Sequence, residues 1–242
     1  MNADSKRAPK RSGRMSGFTT MELLVVLTIA AVLTAIAVPN VIRITQILRI
    51  GGDLRDLNGA VAQAKMHAGA DFTHARARAN LAANTFQVEI WNKTGGGGAG
   101  CWQTVGDTDP GGNPRCTIDG TTQVQALSPG VSFGTDNVTA APPNTQTVFG
   151  QAAPCSNVPA GVGAPAGTLA NTACIEFNSR GLPIDARPAF WGNPYGDGAF
   201  YINNSTAVSA GVMVYALTVA PTGYALNWSV ADAAGNANWK HQ

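Results

Sequence analysis

The sequence predicts an α+β protein: a long N-terminal helix, membrane-grade in its first half, packed on an antiparallel β-sheet head. Three observations predict it. Residues 23–42 form a run of 20 without a charge. Leu54, Leu57, Val61, Ala64 and Ala68 then recur at three- and four-residue intervals, the spacing of one helix face. Beyond them, short alternating apolar segments are separated by Gly-, Pro- and Asn-rich connections, and a helix followed by such strands is the order of an α+β domain.

Composition sets the bounds. At 242 residues with 45% hydrophobic side chains, the chain has room for a substantial buried core plus an appendage. Only 12% of residues are charged, about half the usual share, which suits an exported or polymerising protein. The formal charge of +2 is concentrated at the start, where Lys6, Arg7, Lys10, Arg11 and Arg14 accompany one acid, Asp4. Without that leader 11 bases face 13 acids, so a general nucleic-acid-binding charge is absent.

As a helix, residues 23–42 span about 30 Å, the thickness of a bilayer core. The basic leader before them keeps residues 1–16 cytoplasmic and sends everything beyond Ile42 across the membrane. A secretory signal peptide is the competing reading, since Ala35-Ile36-Ala37 forms an A-x-A pattern that would leave Val38 as the new N-terminus. Against it, the apolar run exceeds the usual signal core of about 7 to 15 residues, and Glu22 stands where such a core should begin.

The stretch Gly17-Phe18-Thr19-Thr20-Met21-Glu22-Leu23-Leu24 resembles the class III signal of type IV prepilins and type II secretion pseudopilins: a short basic leader ending in Gly, an aromatic new N-terminus, and a glutamate fifth after the cut. The resemblance implies that a membrane-embedded prepilin peptidase cleaves between Gly17 and Phe18, removing residues 1–17, and then N-methylates Phe18. It also implies a single pass of the bacterial inner membrane, a periplasmic head, and contacts with lipid, an assembly platform and other pilins. Pro39 falls where many such proteins carry a helix-disrupting proline, after which the helix continues. Glu22, costly at the edge of hydrocarbon unless partnered, would meet the free amine of a neighbouring subunit's Phe18 in a filament; snorkelling to the headgroups is the plainer alternative.

The stalk is expected over residues 18–69, roughly 75 Å long at 1.5 Å per residue, with Gly51-Gly52 interrupting or bending it. Its second half should lie against a sheet. In the head, residues 70–242, "DFTHARARAN" reads as a further helical turn, and "TFQVEIW" as the first strand. "TQVQAL", "GVSFG", "TQTVFG", "CIEFNS", "AFYIN", "VMVYALTVA" and "YALNWSV" follow as strands, and "APTG" at 220–223 predicts a turn joining the last two in a hairpin. Cys101, Cys116, Cys155 and Cys174 form an even set beyond the apolar segment with no C-x-x-C spacing, so disulfides in an oxidising compartment are expected. Of three connectivities the sequential one is favoured, because each bridge would close a Gly/Pro-rich loop; the other two stay open.

"CIEFNSRGLP" and "VYALTVAPTGYALNW" resemble the head of the minor pseudopilin H and FimT-like subgroup. The subgroup often carries Arg after the hairpin glycine, and its members implicated in DNA uptake rely on basic residues near the C-terminus. Here Tyr224 follows Gly223 and the tail offers little beyond Lys240. A structural subunit of a type II secretion pseudopilus or type IV pilus is therefore expected, with a DNA-binding pilin as the alternative and a secreted enzyme as a third reading without a catalytic constellation. No cofactor or metal is expected. His67 and His74, seven apart, could share a helix face, but no acid or cysteine in sequence completes a metal set. Asp107 and Asp109 in "GDTDPGGNP" are weak calcium candidates that lack further ligands. "KTGGGGAG" reverses the order of a phosphate loop and reads as a surface loop, and Trp191 is expected to pack under its own loop.

Overall fold

The computed structural model describes residues 18–107, 116, 123–163, 167–196, 198–204, 213–231 and 238–242. The chain divides into two compact units, one ending at Arg43 and one running from Ile44 to Gln242. A single α-helix, α1 (Thr20–Ala70), contributes its first part to the former and its last part to the latter. Among the described residues it is the one helix long and apolar enough, by length and composition, to cross a membrane.

Within the second unit, α1 buries the stripe read from the sequence. Ile50, Leu54, Leu57, Val61, Ala64 and Ala68 are all buried in one core. That core has two sheets on its other side. The first contains β1 (Ala75–Asn80), β2 (Thr85–Asn92), β3 (Cys101–Thr104), β4 (Gln125–Ala126), β6 (Thr172–Phe177) and β7 (Pro183–Ile184), ordered β3-β2-β1-β6-β7 with β4 also on β2. The second contains β5 (Ser132–Phe133), β8 (Gly198–Asn203), β9 (Met213–Val219), β10 (Ala225–Ala231) and β11 (Lys240–His241), ordered β11-β10-β9-β8-β5. Every pairing is antiparallel. Alternation then sorts the side chains: Ala75, Ala77, Ala79, Phe86, Val88 and Ile175 join the helix stripe from the first sheet, Phe200, Ile202, Leu217 and Val219 from the second.

Several expectations change. Gly51-Gly52 does not interrupt α1, which is continuous through both glycines. Buried Ile50 and Leu54 flank them, and Asp53 accepts the backbone N–H of Ser128 at 3.0 Å and its hydroxyl at 2.8 Å, so tertiary contacts override the local propensity cost. Pro39 also lies inside the helix. It can donate nothing to the carbonyl of Ala35, and the neighbouring Asn40 amide reaches back to the Ile36 carbonyl at 3.1 Å. "DFTHARARAN" is not a helical turn: α1 ends, and residues 75–80 form β1. "TQTVFG" is a loop covering the second sheet, with Phe149 packed on its outer face, while "TQVQAL" and "GVSFG" shrink to two-residue strands. The predicted hairpin is present: β9 pairs with β10 across a turn in which Gly223 N–H donates to Ala220 O at 2.7 Å.

Candidate functional site

The helix start is built from three residues, Phe18, Thr19 and Glu22. Phe18 is 82% exposed and precedes the first helical turn. Thr19 Oγ1 accepts the N–H of Glu22 at 3.2 Å, and Thr19 N–H points back to Glu22 Oε2 at 3.5 Å. This is a capping box, in which an N-cap threonine and the glutamate three residues on satisfy each other's backbone donors. The negative charge also suits the positive end of the helix dipole. Glu22 therefore has a partner in its own chain. Gly17 lies outside the described residues.

After Glu22 the helix presents apolar side chains all round. Leu24, Leu27, Val32, Leu33 and Ile36 are each more than half exposed. The pattern continues past the uncharged run, where Ile44 and Leu48 are exposed before Ile50 turns into the head's core. A helix apolar on every face is one built to be surrounded by lipid or by other helices.

The head carries a second concentration of chemistry, unforeseen from the sequence. On the outer face of the first sheet, Glu89, Arg76 and Glu176 sit side by side on three neighbouring strands, because Arg76 is in register with both acids. All three are essentially inaccessible to solvent. Arg76 Nε donates to Glu89 Oε2 at 2.5 Å, Arg78 Nη1 donates to Glu89 Oε1 at 3.0 Å, and the Gln87 amide donates to the same oxygen at 2.6 Å. The indole of Trp102 lies 3.9 Å from the Arg76 guanidinium carbon, a cation–π contact in a dry setting. Burial lowers the Arg76 pKa, an effect that Glu89 and Glu176 oppose. Burial raises that of Glu89, but the charges of Arg76 and Arg78 outweigh it and hold the carboxyl below its ordinary value. The signal for this cluster was the strict Ala/Arg alternation of residues 75–79 beside the Gln/Glu alternation of 87–89.

The disulfides join Cys101 to Cys116 and Cys155 to Cys174, with Cα separations of 5.4 and 5.0 Å. The glycine-rich loop folds tightly beside the first: a side chain on Gly95 would collide with both sulfurs, and one on Gly100 with the Trp91 indole. His67 and His74 do not share a helix. His67 Nδ1 contacts Asp71 at 3.0 Å, whereas His74, beyond the helix, contacts Glu176 at 3.2 Å. Among the described residues no three His, Cys, Asp or Glu side chains gather as a metal site. Asp107 is buried, and Asp109 lies outside the described residues. Trp191 packs on the small cluster of Ala153, Ala160, Ile184 and Ala186. At the C-terminal hairpin Tyr224 is exposed, and Lys65 is occupied by the carbonyls of Thr222 and Gly223 at 3.3 and 3.1 Å.

No family model, curated protein or solved structure matches this chain significantly. The architecture is consistent with a pilin-like fold: a long N-terminal helix, apolar in its first part, packed against antiparallel sheets. The apolar helix and two disulfides suit a membrane-anchored or extracytoplasmic protein.

Proposed function

We propose that the chain is a minor pilin or pseudopilin, cut between Gly17 and Phe18, methylated on Phe18, and drawn from the inner membrane into a filament of the type II secretion pseudopilus or type IV pilus class, which it helps to initiate or cap. The observation that carries this reading is the helix start. A capped glutamate four residues from the proposed new amine leads directly into an apolar surface that none of the described residues covers.

The capping box also supplies a mechanism for exchange. Before assembly the carboxylate of Glu22 is held by a neutral donor, Thr19 N–H. The amine of a neighbour's Phe18 keeps its positive charge after methylation, and a charge-assisted bond is roughly twice as strong as a neutral one. Assembly thus improves the partner of a carboxylate at the hydrocarbon edge while apolar helix packing supplies the attraction.

Glu22→Ala tests this directly. Processing should persist while incorporation into filaments, measured by cross-linking in sheared or membrane fractions, falls at least tenfold. Normal incorporation of that variant would refute the register contact.

A further inference from the structure

The segment that seals the charged face of the first sheet is held in place by one of the two disulfides. Two backbone groups just after Cys155 complete the cluster: Ser156 O accepts Arg76 Nη1 at 2.5 Å, and Ala160 N–H donates to Glu176 Oε1 at 2.8 Å. Cys155 is itself fully buried, and its N–H donates to Thr172 Oγ1 at 3.1 Å. Apolar burial holds this segment only lightly, through the methyl groups of Ala153 and Ala160 in the neighbouring cluster and the buried Pro159, and backbone bonds anchor its start, where Cys174 N–H donates to Ala153 O at 2.8 Å and Leu169 N–H to Cys155 O at 2.7 Å. Closure removes Arg76, Glu89 and Glu176 from water, and desolvating each ion costs several kcal/mol before pairing offsets it. An unbridged segment therefore gains from opening and letting the charges hydrate.

We propose that Cys155–Cys174 is a redox latch: the outer face of the first sheet closes over its charges only once this bridge has formed, so the head completes its fold only in an oxidising compartment. The oxidant is a disulfide-bearing carrier protein. One cysteine thiolate attacks the carrier's disulfide to give a mixed disulfide, and the second thiolate displaces the carrier. Two S–H bonds are replaced by one S–S bond, and the two electrons and two protons leave as the carrier's dithiol. Cys101–Cys116 differs, because Cys116 is exposed and, among the described residues, the loop it closes gives the buried ions no hydrogen bond. The inference stands whether or not the chain enters a filament.

Loop entropy alone would make the two bridges nearly equivalent. They span 15 and 19 residues, and a three-halves power of length separates them by a factor of only about 1.4. The test compares full-length Cys155→Ser/Cys174→Ser with full-length Cys101→Ser/Cys116→Ser, in detergent, by the rate at which a broad-specificity protease cuts within residues 156–163. The first pair should be cut at least tenfold faster than wild type and the second within twofold of it. Equal rates for the two pairs, or wild-type protection of the first, would overturn the latch. Should the first pair not fold, graded reduction of the wild-type chain with thiol trapping serves instead. Cutting within 156–163 should then begin only when Cys155 and Cys174 are trapped, and protection that outlasts their reduction would overturn the proposal.

Discussion

The two halves of α1 use the same apolar residue types for opposite ends. From Leu23 to Ile42 the side chains are exposed around the whole circumference, whereas from Ile50 onward Ile50, Leu54, Leu57, Val61, Ala64 and Ala68 fall on one buried stripe, with Met66 exposed outside it. Among the described residues, the second half is covered by its own chain and the first is not. That contrast teaches where to look for partners: the head's core needs none, and the leading half requires a membrane or other helices to cover it.

Substitutions should separate the halves. Leu57→Ala empties a fully buried site, so the head should lose about 2–5 kcal/mol, read as a lower urea midpoint in detergent. Leu33→Arg, at the middle of the uncharged run, should leave that midpoint unchanged while costing about 2.5–3.5 kcal/mol of membrane insertion, read by membrane fractionation. If both changes moved the same measurement, the division would fail.

Glu89→Gln probes whether the head's internal satisfaction extends to charge. Removing the carboxylate shared by Arg76 and Arg78 leaves two buried cations under-compensated, and about 3–5 kcal/mol should be lost at neutral pH. The sign of the pH dependence follows from the lowered pKa. Stability from Glu89 is complete above the unfolded carboxyl value of 4.5 and is lost as pH falls below it through the folded value. The variant's acid unfolding limb should therefore be flatter than wild type's.

The two helix ends give smaller effects. Thr19→Val removes the hydroxyl that caps Glu22 N–H and should cost about 0.5–2 kcal/mol of local helix stability, read as faster amide exchange at Glu22. At the other end Phe72 adopts φ 47° and is 75% exposed, where Thr73 N–H closes back on Ala68 O at 3.3 Å. Glycine is favoured at such a position, so Phe72→Gly should stabilise the head by up to about 1 kcal/mol, read as a raised urea midpoint.

Much of this organisation was legible because it rests on periodicity. The stripe from Leu54 to Ala68, most of the strands and the closing hairpin follow from spacing and turn residues. What escaped has a common cause. Arg76 and Arg78 alternate with alanines as a strand should, but charges signal a solvated face, and it is the segment following Cys155 together with the Trp102 indole that makes that face an interior. Gly51-Gly52 was misread for the same reason: buried Ile50, Leu54 and the Asp53–Ser128 contacts hold a helix that local propensity would weaken. At the candidate site the sequence pointed to Phe18 and Glu22, while the reciprocal contact between Thr19 and Glu22 emerged from the fold.

The central claim concerns the first residue of the working protein. Mass spectrometry of the N-terminal peptide, taken from the protein in its host's membranes, should find a chain that begins with N-methylated Phe18. A chain beginning at Met1 or at Val38 would contradict it.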